Sequence, residues 1–312
     1  MEHFVTLFDS LFLPQGLALN ASLARHAGSY TLWVLCVDDI THEVLQRLAP
    51  PNVRPLQLSA LETPELRRVK ALRTRGEYCW TLTPFAPRFV FETDPTIRRV
   101  TYVDADLWFR RDPAPLFEEL EQAGASVLIT DHGYAPEYDQ SATSGQYCVQ
   151  FMVFVRDTAE PVRQWWEDRC IEWCHARFED GKFGDQKYLD DWPARFKGLV
   201  HVLQRQEHAQ APWNATRYPY GPAVIYHFHG LRILPGRRFD AGPIYYLPRT
   251  VVTHIYQPYV TELRDSIRSL EAAGIEVRPQ ARPLGVVGTL RRIGSGIYNQ
   301  VWRLHHLNSW KY

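Results

Sequence analysis

Two aspartates lie one residue apart directly after an apolar run, in the segment Arg99-Val-Thr-Tyr-Val-Asp104-Ala-Asp106. Carboxylate oxygens are the ligands that Mg²⁺ and Mn²⁺ prefer, and enzymes commonly share these ions with substrate phosphates. For both carboxylates to reach one ion, we expect the chain to turn after Asp104. The Asp-x-Asp pattern alone is a weak signal, but a predicted strand precedes it and Asp112-Pro-Ala-Pro, typical of a helix start, follows it. The pair is therefore a candidate binding site for a divalent cation.

The acidic pair belongs to a series of short apolar runs that alternate with longer stretches of helical period. This alternation indicates an α/β sheet covered by helices. Asp9, Asp38 and Asp104 each come directly after an apolar run, and ligands in open α/β sheets bind beyond the carboxyl ends of strands. These acids therefore mark the edge of the sheet where chemistry is expected. The predicted strands are Phe4–Phe8, Tyr30–Val37, Arg99–Val103, Ser126–Thr130, Val149–Val155, Val200–Leu203 and Val224–Phe228.

The stretches between the strands predict helices with one apolar face. Thr41 is expected to be the N-cap of the second helix, because Val44 and Leu45 follow it. The predicted helices are Gly16–His26, Thr41–Leu48, Pro84–Phe91, Leu116–Gln122 and Glu160–Phe178, of which the last is the longest.

Size and composition exclude several classes of protein. The chain has 312 residues, 45% of them hydrophobic, so it can bury the core of one large domain or of one domain with an appendage. Its net charge is +0 and like charges form no block, which argues against a nucleic-acid partner. The five cysteines are odd in number and scattered, which fits reduced thiols in a cytoplasmic compartment. No signal peptide is evident, and no run approaches the ~20 apolar residues that span a bilayer, so we expect a soluble or peripheral protein.

Four segments, in this order along the chain, resemble those of glycosyltransferase family 8, whose members have a GT-A fold. The resemblance covers residues 4–232, and an ordered set of motifs is much more specific than any one of them. The segments are Val5-Thr-Leu-Phe-Asp9-Ser10 leading into Leu13-Pro-Gln-Gly-Leu17, Pro84-Phe-Ala-Pro-Arg88 before Val100-Thr-Tyr-Val-Asp104-Ala-Asp106, Phe183-Gly-Asp185-Gln186-Lys-Tyr-Leu-Asp190, and Tyr226-His227-Phe-His229-Gly230.

The resemblance implies an α/β fold that is GT-A-like, with a mixed, mostly parallel sheet flanked by helices. Past about residue 258 the character of the sequence changes, which predicts a C-terminal helical appendage. Residues 1–257 are expected to form the nucleotide-sugar transferase domain, and residues 258–312 the appendage. In the appendage, Val260–Ala273 is predicted to be an amphipathic helix. Val286–Trp310 mixes arginines with apolar residues. This tail is either a basic interfacial helix that contacts anionic lipid at the inner face of the membrane, or a segment that packs on the domain.

The resemblance also implies a set of metal ligands. In the family, the two aspartates and the histidine of a His-x-x-Gly motif bind the divalent ion that neutralises the donor diphosphate. The corresponding residues here are Asp104, Asp106 and His227, with Mn²⁺ or Mg²⁺ as the ion. His229 is the rival to His227, because strand alternation puts both on one face. We expect His229 to contact a phosphate or the acceptor, and the alternative for either histidine is a structural role.

Four further residues resemble positions near the bound nucleotide-diphosphate sugar. Asp9 corresponds to a position near the base or ribose, and Lys70 and Arg88 to basic residues near the donor. Arg232 is expected to donate to the diphosphate. The alternatives are a strand-ending turn residue for Asp9 and solvated surface charges for the three basic residues.

Asp185 and Gln186 occupy the segment where the family positions the transferred sugar, and they are the candidate catalytic residues. The alternative for Asp185 is a helix N-cap. The resemblance implies a retaining transfer in which the leaving diphosphate oxygen assists the acceptor hydroxyl. An inverting transfer would require a carboxylate base, for which Asp185 or Asp190 would be the candidates.

The chain departs from the family pattern at two places. The family commonly has an asparagine and then a glycine where Tyr147-Cys148-Val-Gln150-Phe stands here, so a sugar hydroxyl contact is either lost or shifted to Gln150. The family's Lys-Pro-Trp after the histidine is replaced by Gly230-Leu-Arg232-Ile. Trp213-Asn214 either lines an acceptor pocket or packs in its loop.

The sequence therefore predicts a metal-dependent glycosyltransferase that moves a sugar from a nucleotide-diphosphate donor to a glycan or lipid-linked saccharide. A bacterial surface-polysaccharide pathway and a cytoplasmic location, peripheral to the membrane if the tail binds lipid, are the expected setting. One alternative is a catalytically degenerate protein that binds sugar nucleotides or glycans. The other is an Asp-x-Asp phosphohydrolase, although such enzymes usually carry the motif after their first strand.

Overall fold

The computed structural model describes residues 1–219, 221–242 and 244–280, together with the backbone of 309–310. The strands in these residues are β1 (Glu2–Phe8), β2 (Tyr30–Cys36), β3 (Val53–Gln57), β4 (Arg99–Val103), β5 (Leu107–Phe109), β6 (Val127–Asp131), β7 (Tyr147–Val155), β8 (Val200–Val202), β9 (Ala209–Gln210), β10 (Ile225–His227), β11 (Arg232–Leu234), β12 (Arg238–Asp240) and β13 (Ser309–Trp310).

The helices flank these strands and are mostly short. They are α1 (Leu13–His26), α2 (Asp39–Leu48), α3 (Leu58–Leu61), α4 (Pro64–Lys70), α5 (Arg75–Leu82), α6 (Phe85–Thr93), α7 (Ala114–Gln122), α8 (Ser141–Ser144), α9 (Glu160–Glu172), α10 (Trp192–Arg195), α11 (Arg249–Val251) and α12 (Gln257–Ala272).

The central sheet has the strand order β3-β2-β1-β4-β7-β6-β8. Strands β3, β2, β1 and β4 run parallel, β7 is antiparallel to both of its neighbours, and β8 is parallel to β6. Two small sheets, β5-β10-β9 and β11-β12-β13, complete the described strands. The predicted fold class, a mixed and mostly parallel sheet flanked by helices, is confirmed.

Apolar residues cover both faces of the central sheet. Phe4 and Val5 are adjacent in β1, both fully buried, and belong to different core clusters because successive side chains of a strand point to opposite faces. At the end of β4, Tyr102 and Val103 likewise belong to the clusters on opposite faces of the sheet. Asp104 follows directly, so the buried residues of β4 fix the position of the strand and place the Asp104 carboxylate at its C-terminal end.

Among the predicted helix ends that differ in the structure, two are set by acidic side chains. The N-cap of α2 is Asp38, not Thr41, because the Asp38 carboxylate accepts the Thr41 backbone N–H at 2.9 Å. Helix α9 ends at Glu172 rather than at Phe178, and Trp173 is extended. Beyond this point Glu77 accepts the Ala176 backbone N–H at 2.8 Å, so a side chain of α5 replaces the helical partner.

Helix α12 lies, apart from its first residue, within the predicted appendage but packs on the rest of the chain. Leu263 and Ile267 are buried in one cluster with Trp108 and Tyr226. The division at residue 257 stays a prediction. The predicted tail Val286–Trp310 lies outside the described residues except for the backbone of 309–310. Among the helices of the described segments, none combines the length and apolar character that a bilayer crossing requires.

Candidate active site

A cavity of about 620 Å³ lies at the edge of the central sheet where β1 and β4 end. Most of the residues expected at a site line this cavity. They are Asp9, Asp104, Asp106, Asp185, Gln186, His227, His229 and Arg232.

The two aspartates of the acidic motif are brought together by a turn. The Leu107 backbone N–H donates to the Asp104 carbonyl at 3.1 Å, and β5 then begins at Leu107. The hydroxyl of Tyr102, two residues before Asp104, donates to Asp104 Oδ1 at 2.9 Å. The turn that the sequence required for a shared ion is therefore present.

His227 reaches the acidic turn from β10, which pairs antiparallel with β5 so that His227 stands opposite Leu107. Its Nε2 lies 3.2 Å from Asp106 Oδ1 and 3.6 Å from Asp104 Oδ2. One ligand atom from each of the three residues lies within 4.8 Å of the others. The described residues contain one such three-ligand group, and it is the trio that the family resemblance implied.

Charges within this trio shift its pKa values. Burial opposes ionisation of Asp106, but attraction to His227 and a hydrogen bond from its imidazole prevail and lower the Asp106 pKa to about 2. Burial also opposes protonation of His227, yet Asp106 and Asp104 raise its pKa well above the usual value. Burial raises the pKa of Asp104, attraction to His227 opposes this shift, and repulsion from Asp106 adds to it. The trio thus attracts positive charge to one point.

The donor set fits a divalent ion of the Mn²⁺ or Mg²⁺ class. Two carboxylates and one imidazole supply oxygen and borderline nitrogen ligands, and no thiol belongs to the three-ligand group of the described residues. Asp104, Asp106 and His227 would hold the ion. The two carboxylates would balance the charge of a divalent ion, which could still bind the oxygens of an anionic substrate as a Lewis acid.

The other nitrogen of His227 contacts Gln150. His227 Nδ1 lies 3.1 Å from Gln150 Oε1, in a buried position on β7. The hypothesis that Gln150 takes over a sugar contact is therefore wrong for this geometry, because the amide is turned to the histidine and does not line the cavity. Cys148, two residues earlier on the same strand, does line it.

His229 and Arg232 line the cavity beside the trio without joining it. Burial and repulsion by His227 lower the pKa of His229 to about 4, so His229 is neutral at pH 7. The Arg232 charge is near enough to help lower the pKa of Asp106. The geometry therefore favours His227 over its rival His229 as the metal ligand.

Asp9 forms an ionic network with Arg75, a residue that the sequence analysis missed. Arg75 lies at the start of α5, with Nε 2.6 Å from Asp9 Oδ2 and an Nη atom 2.6 Å from Asp38 Oδ2. Burial raises the pKa of Asp9 and Arg75 opposes the shift. A signal was present, since Thr74 and Glu77 form a capping box that marks a helix start and brings Arg75 into its first turn.

Asp185 is buried at the cavity wall with 3% exposure, and its Oδ2 has no hydrogen-bond partner among the described residues. Burial raises its pKa to about 7. It caps no helix, because the short helix that follows begins after Gln186 without a side-chain cap. Gln186 lines the cavity and donates to the Ser144 carbonyl at 2.7 Å. Asp190 instead accepts from Gln146 and Lys187 and does not line the cavity.

Lys70 and Arg88 do not line the cavity, in contrast to their predicted place near the donor. Lys70 Nζ forms an ion pair with Glu62 at 2.6 Å on the exposed side of α4. Arg88 lies 3.3 Å from Glu167, a carboxylate of α9 that is 2% exposed and also pairs with the buried Arg163. Lys70 is therefore better described as a surface charge, and Arg88 as a structural partner of Glu167.

An aromatic wall completes the cavity. Trp213, Tyr134 and Tyr245 line it, and the Trp213 ring meets His227 edge-on with centroids 5.4 Å apart. The Trp213 indole N–H donates to the His132 carbonyl at 2.8 Å, which fixes the ring. Trp213 therefore lines the cavity, which is what its predicted role in an acceptor pocket requires.

Comparison with known proteins identifies relatives in Bacillus subtilis (strain 168). The uncharacterized protein YfnD is 32% identical over 291 residues, which cover 87% of this chain and 91% of YfnD. The uncharacterized protein YfnF is 30% identical over 288 residues, covering 86% and 93% of the two chains. No protein-family model matches the chain.

Among solved structures, an active-site glutamine-to-glutamate variant of LgtC superposes with a TM-score of 0.52 at 14% identity, covering 90% of this chain and 97% of that one. The apo form of the glycosyltransferase GlyE from Streptococcus pneumoniae TIGR4 gives 0.51 at 15% identity, covering 90% and 66%. At this identity the likeness shows the fold, which is the GT-A fold of these structures.

Proposed function

This chain belongs to the family of the Bacillus subtilis proteins YfnD and YfnF, and for it we propose a metal-dependent glycosyltransferase activity that uses a nucleotide-diphosphate sugar. The observation that carries the proposal is the convergence of Asp104, Asp106 and His227 in a cavity at the carboxyl edge of a GT-A sheet. The acceptor is proposed to be a glycan or a lipid-linked saccharide.

A divalent ion held by the trio would neutralise the diphosphate of the donor and so make it a better leaving group. Arg232 and neutral His229 lie beside the trio, where they are suited to hydrogen-bond the phosphate oxygens. Both arrangements stabilise negative charge that grows as the sugar leaves.

The nucleoside is proposed to lie near Asp9. Both Asp9 carboxylate oxygens are engaged, one by the Leu11 backbone N–H at 2.9 Å and the other by Arg75. Arg75 lines the cavity, and Asp9 and Asp38 hold its guanidinium in place, so Arg75 is proposed to contact the donor there.

Asp185 and Gln186 are proposed to orient the transferred sugar. The active site of LgtC contains a glutamine. We propose that Gln186 takes the corresponding role in this chain. In a retaining transfer the bond from the anomeric carbon to the diphosphate oxygen breaks and a bond to the acceptor oxygen forms. The acceptor proton passes to the departing diphosphate oxygen. In an inverting transfer the proton would pass to a carboxylate, for which Asp185 is the residue at the cavity.

The acceptor is proposed to lie against Trp213, Tyr134 and Tyr245. Aromatic rings stack on the apolar faces of sugar rings, and Trp213 lies beside His227, with Tyr134 and Tyr245 packed against Trp213.

The test is release of nucleoside diphosphate from UDP-, GDP-, ADP- and CDP-sugars, with Mn²⁺ and with EDTA. A transferase without its acceptor should slowly hydrolyse one donor, and only with the metal. Release of inorganic phosphate instead would favour the phosphohydrolase alternative. Binding of a donor without any turnover, even with glycan acceptors added, would favour the degenerate binding protein.

A further inference from the structure

We infer that Gln150 is a positioning residue that fixes the His227 ring so that Nε2 faces Asp104 and Asp106. The inference rests on the proposed function, because it concerns how the metal trio is held. Gln150 is 1% exposed on β7, where its neighbours Val149 and Phe151 are buried apolar residues. A buried amide costs stability unless its polar atoms find partners, so the partners of Gln150 indicate its role.

Gln150 touches the trio twice. Its backbone carbonyl accepts the Asp104 N–H at 3.1 Å, which ties β7 to the start of the acidic turn. Its side-chain oxygen lies 3.1 Å from His227 Nδ1. One residue therefore contacts both strands that deliver the metal ligands.

Thr130 on β6 sets the direction of the Gln150 amide. The Thr130 hydroxyl lies 3.3 Å from the Cys148 carbonyl, to which it donates its only proton. Toward Gln150 Nε2, at 3.5 Å, it can then only accept. The amide nitrogen consequently faces Thr130 and the amide oxygen faces His227.

The direction of the amide fixes the histidine. An amide oxygen accepts but does not donate, so His227 Nδ1 has to carry a proton. The lone pair of the neutral ring then lies on Nε2, the nitrogen 3.2 Å from Asp106. Partners of this kind orient metal-binding histidines, and their loss typically weakens metal binding by about 10- to 100-fold.

The experiment measures Mn²⁺ affinity by electron paramagnetic resonance, with no nucleotide or sugar present. Gln150→Met keeps the size of the side chain but removes the acceptor, and it should weaken Mn²⁺ binding by about 10-fold or more. Gln150→Glu restores an acceptor for Nδ1–H and should bind Mn²⁺ at least as tightly as the wild type at pH 8. Thr130→Val removes the hydroxyl that orients the amide and should weaken binding, whereas Thr130→Ser should not.

Gln210→Met is the matched control. Gln210 is also 1% exposed and lies on β9 beside β10, but its side-chain amide donates to the Glu207 carbonyl. It should leave Mn²⁺ affinity within about twofold of the wild type, so a general loss of packing is separated from a loss of orientation.

The outcomes distinguish the two proposals. Equal Mn²⁺ affinity of the wild type and a folded Gln150→Met variant would overturn the role of Gln150 and leave the metal centre standing. The same conclusion would follow if Gln150→Glu bound as weakly as Gln150→Met. A wild type that binds no Mn²⁺ would overturn the metal centre itself and the inference with it.

Discussion

At the scale of single residues, the site consists of three side chains, Asp104, Asp106 and His227, whose ligand atoms converge on one point. His227 Nε2 is drawn to Asp106 and Asp104, and the same two carboxylates would hold a cation there. A histidine binds a metal ion only through an unprotonated nitrogen, so the ion and a proton on Nε2 exclude each other. Metal binding at this trio should therefore release a proton.

Asp185 differs from these acids because it has no cationic partner at its free oxygen. Its Oδ2 makes no hydrogen bond among the described residues, and burial raises its pKa to about 7 from an ordinary value of 3.8. The folded protein therefore holds this proton between about pH 4 and pH 7, whereas the unfolded chain releases it. Stability should fall across that window as the pH rises.

Replacing Asp185 by asparagine should remove this penalty. Asp185→Asn should match the wild type in melting temperature near pH 4, exceed it progressively up to pH 7, and keep a constant advantage of several degrees above that pH. Thermal unfolding with EDTA from pH 4 to pH 8.5 measures the difference. Transfer activity of the variant should fall, because the sugar loses a positioning carboxylate.

Asp168→Asn is the control for this titration, because Asp168 is exposed on α9 and contacts only Gln164 among the hydrogen bonds of the described side chains. Its melting temperature should track that of the wild type at every pH. A pH-independent gap for Asp185→Asn, or a lower melting temperature at pH 8, would contradict the buried and unpaired state of Asp185.

Single residues also show how far the sequence alone could locate the site. Asp104 and Asp106 were predictable because a strand and a short turn, both local, bring them together. The place of Arg75 was not predicted, because its partners Asp9 and Asp38 follow two other strands and meet it only in the folded chain. Lys70 and Arg88 have the residue type of donor ligands, but which acid a basic residue pairs with depends on tertiary packing.

At the scale of elements, the close packing of α1 on β1 shapes the part of the cavity lined by Phe8 and Phe12. Gly16 lies in α1 directly against Phe8, and a Cβ there would lie 2.3 Å from the Phe8 ring. The phenyl group is buried, so neither it nor the helix can move without disturbing the cavity wall.

Gly16→Ala should therefore destabilise the protein by about 1–3 kcal/mol, the usual range for overpacking a core. Chemical denaturation in urea measures the change. Gly76→Ala in α5 is the matched helix substitution, because a Cβ there meets nothing within 4 Å. It should be neutral or stabilise the protein by up to ~1 kcal/mol. Equal effects of the two substitutions would contradict the packing of α1 on Phe8.

The same scale separates the elements that were predictable from those that were not. Buried strands such as β1 and β4 appeared within a few residues of their predicted bounds, because their apolar runs end sharply at acids. Strand β3 was missed, since Val53–Gln57 contains a proline and is only half-buried at the sheet edge. The end of α9 was misjudged because Glu77, distant in sequence, binds the chain beyond it.

At the scale of the whole molecule, the elements meet around one cavity. The central sheet brings the ends of β1 and β4 to one edge, the small sheet β5-β10-β9 adds His227, and α12 packs behind the latter sheet. The GT-A fold could be predicted from the sequence because an ordered set of motifs carried it. The sequence leaves two alternatives for the tail Val286–Trp310, because amphipathic character does not specify a packing partner.

The most direct test of a metal-dependent nucleotide-sugar site is a thermal-shift screen of UDP, GDP, ADP and CDP and their sugars, with Mn²⁺ and with EDTA. A ligand that binds only the folded state raises the melting temperature by mass action. One nucleotide should raise it by several degrees with Mn²⁺ and not with EDTA, and Asp106→Asn should abolish that shift while remaining folded. No shift with any nucleotide, or a shift that EDTA and Asp106→Asn leave unchanged, would contradict the assignment of Asp104, Asp106 and His227 as a metal-diphosphate site.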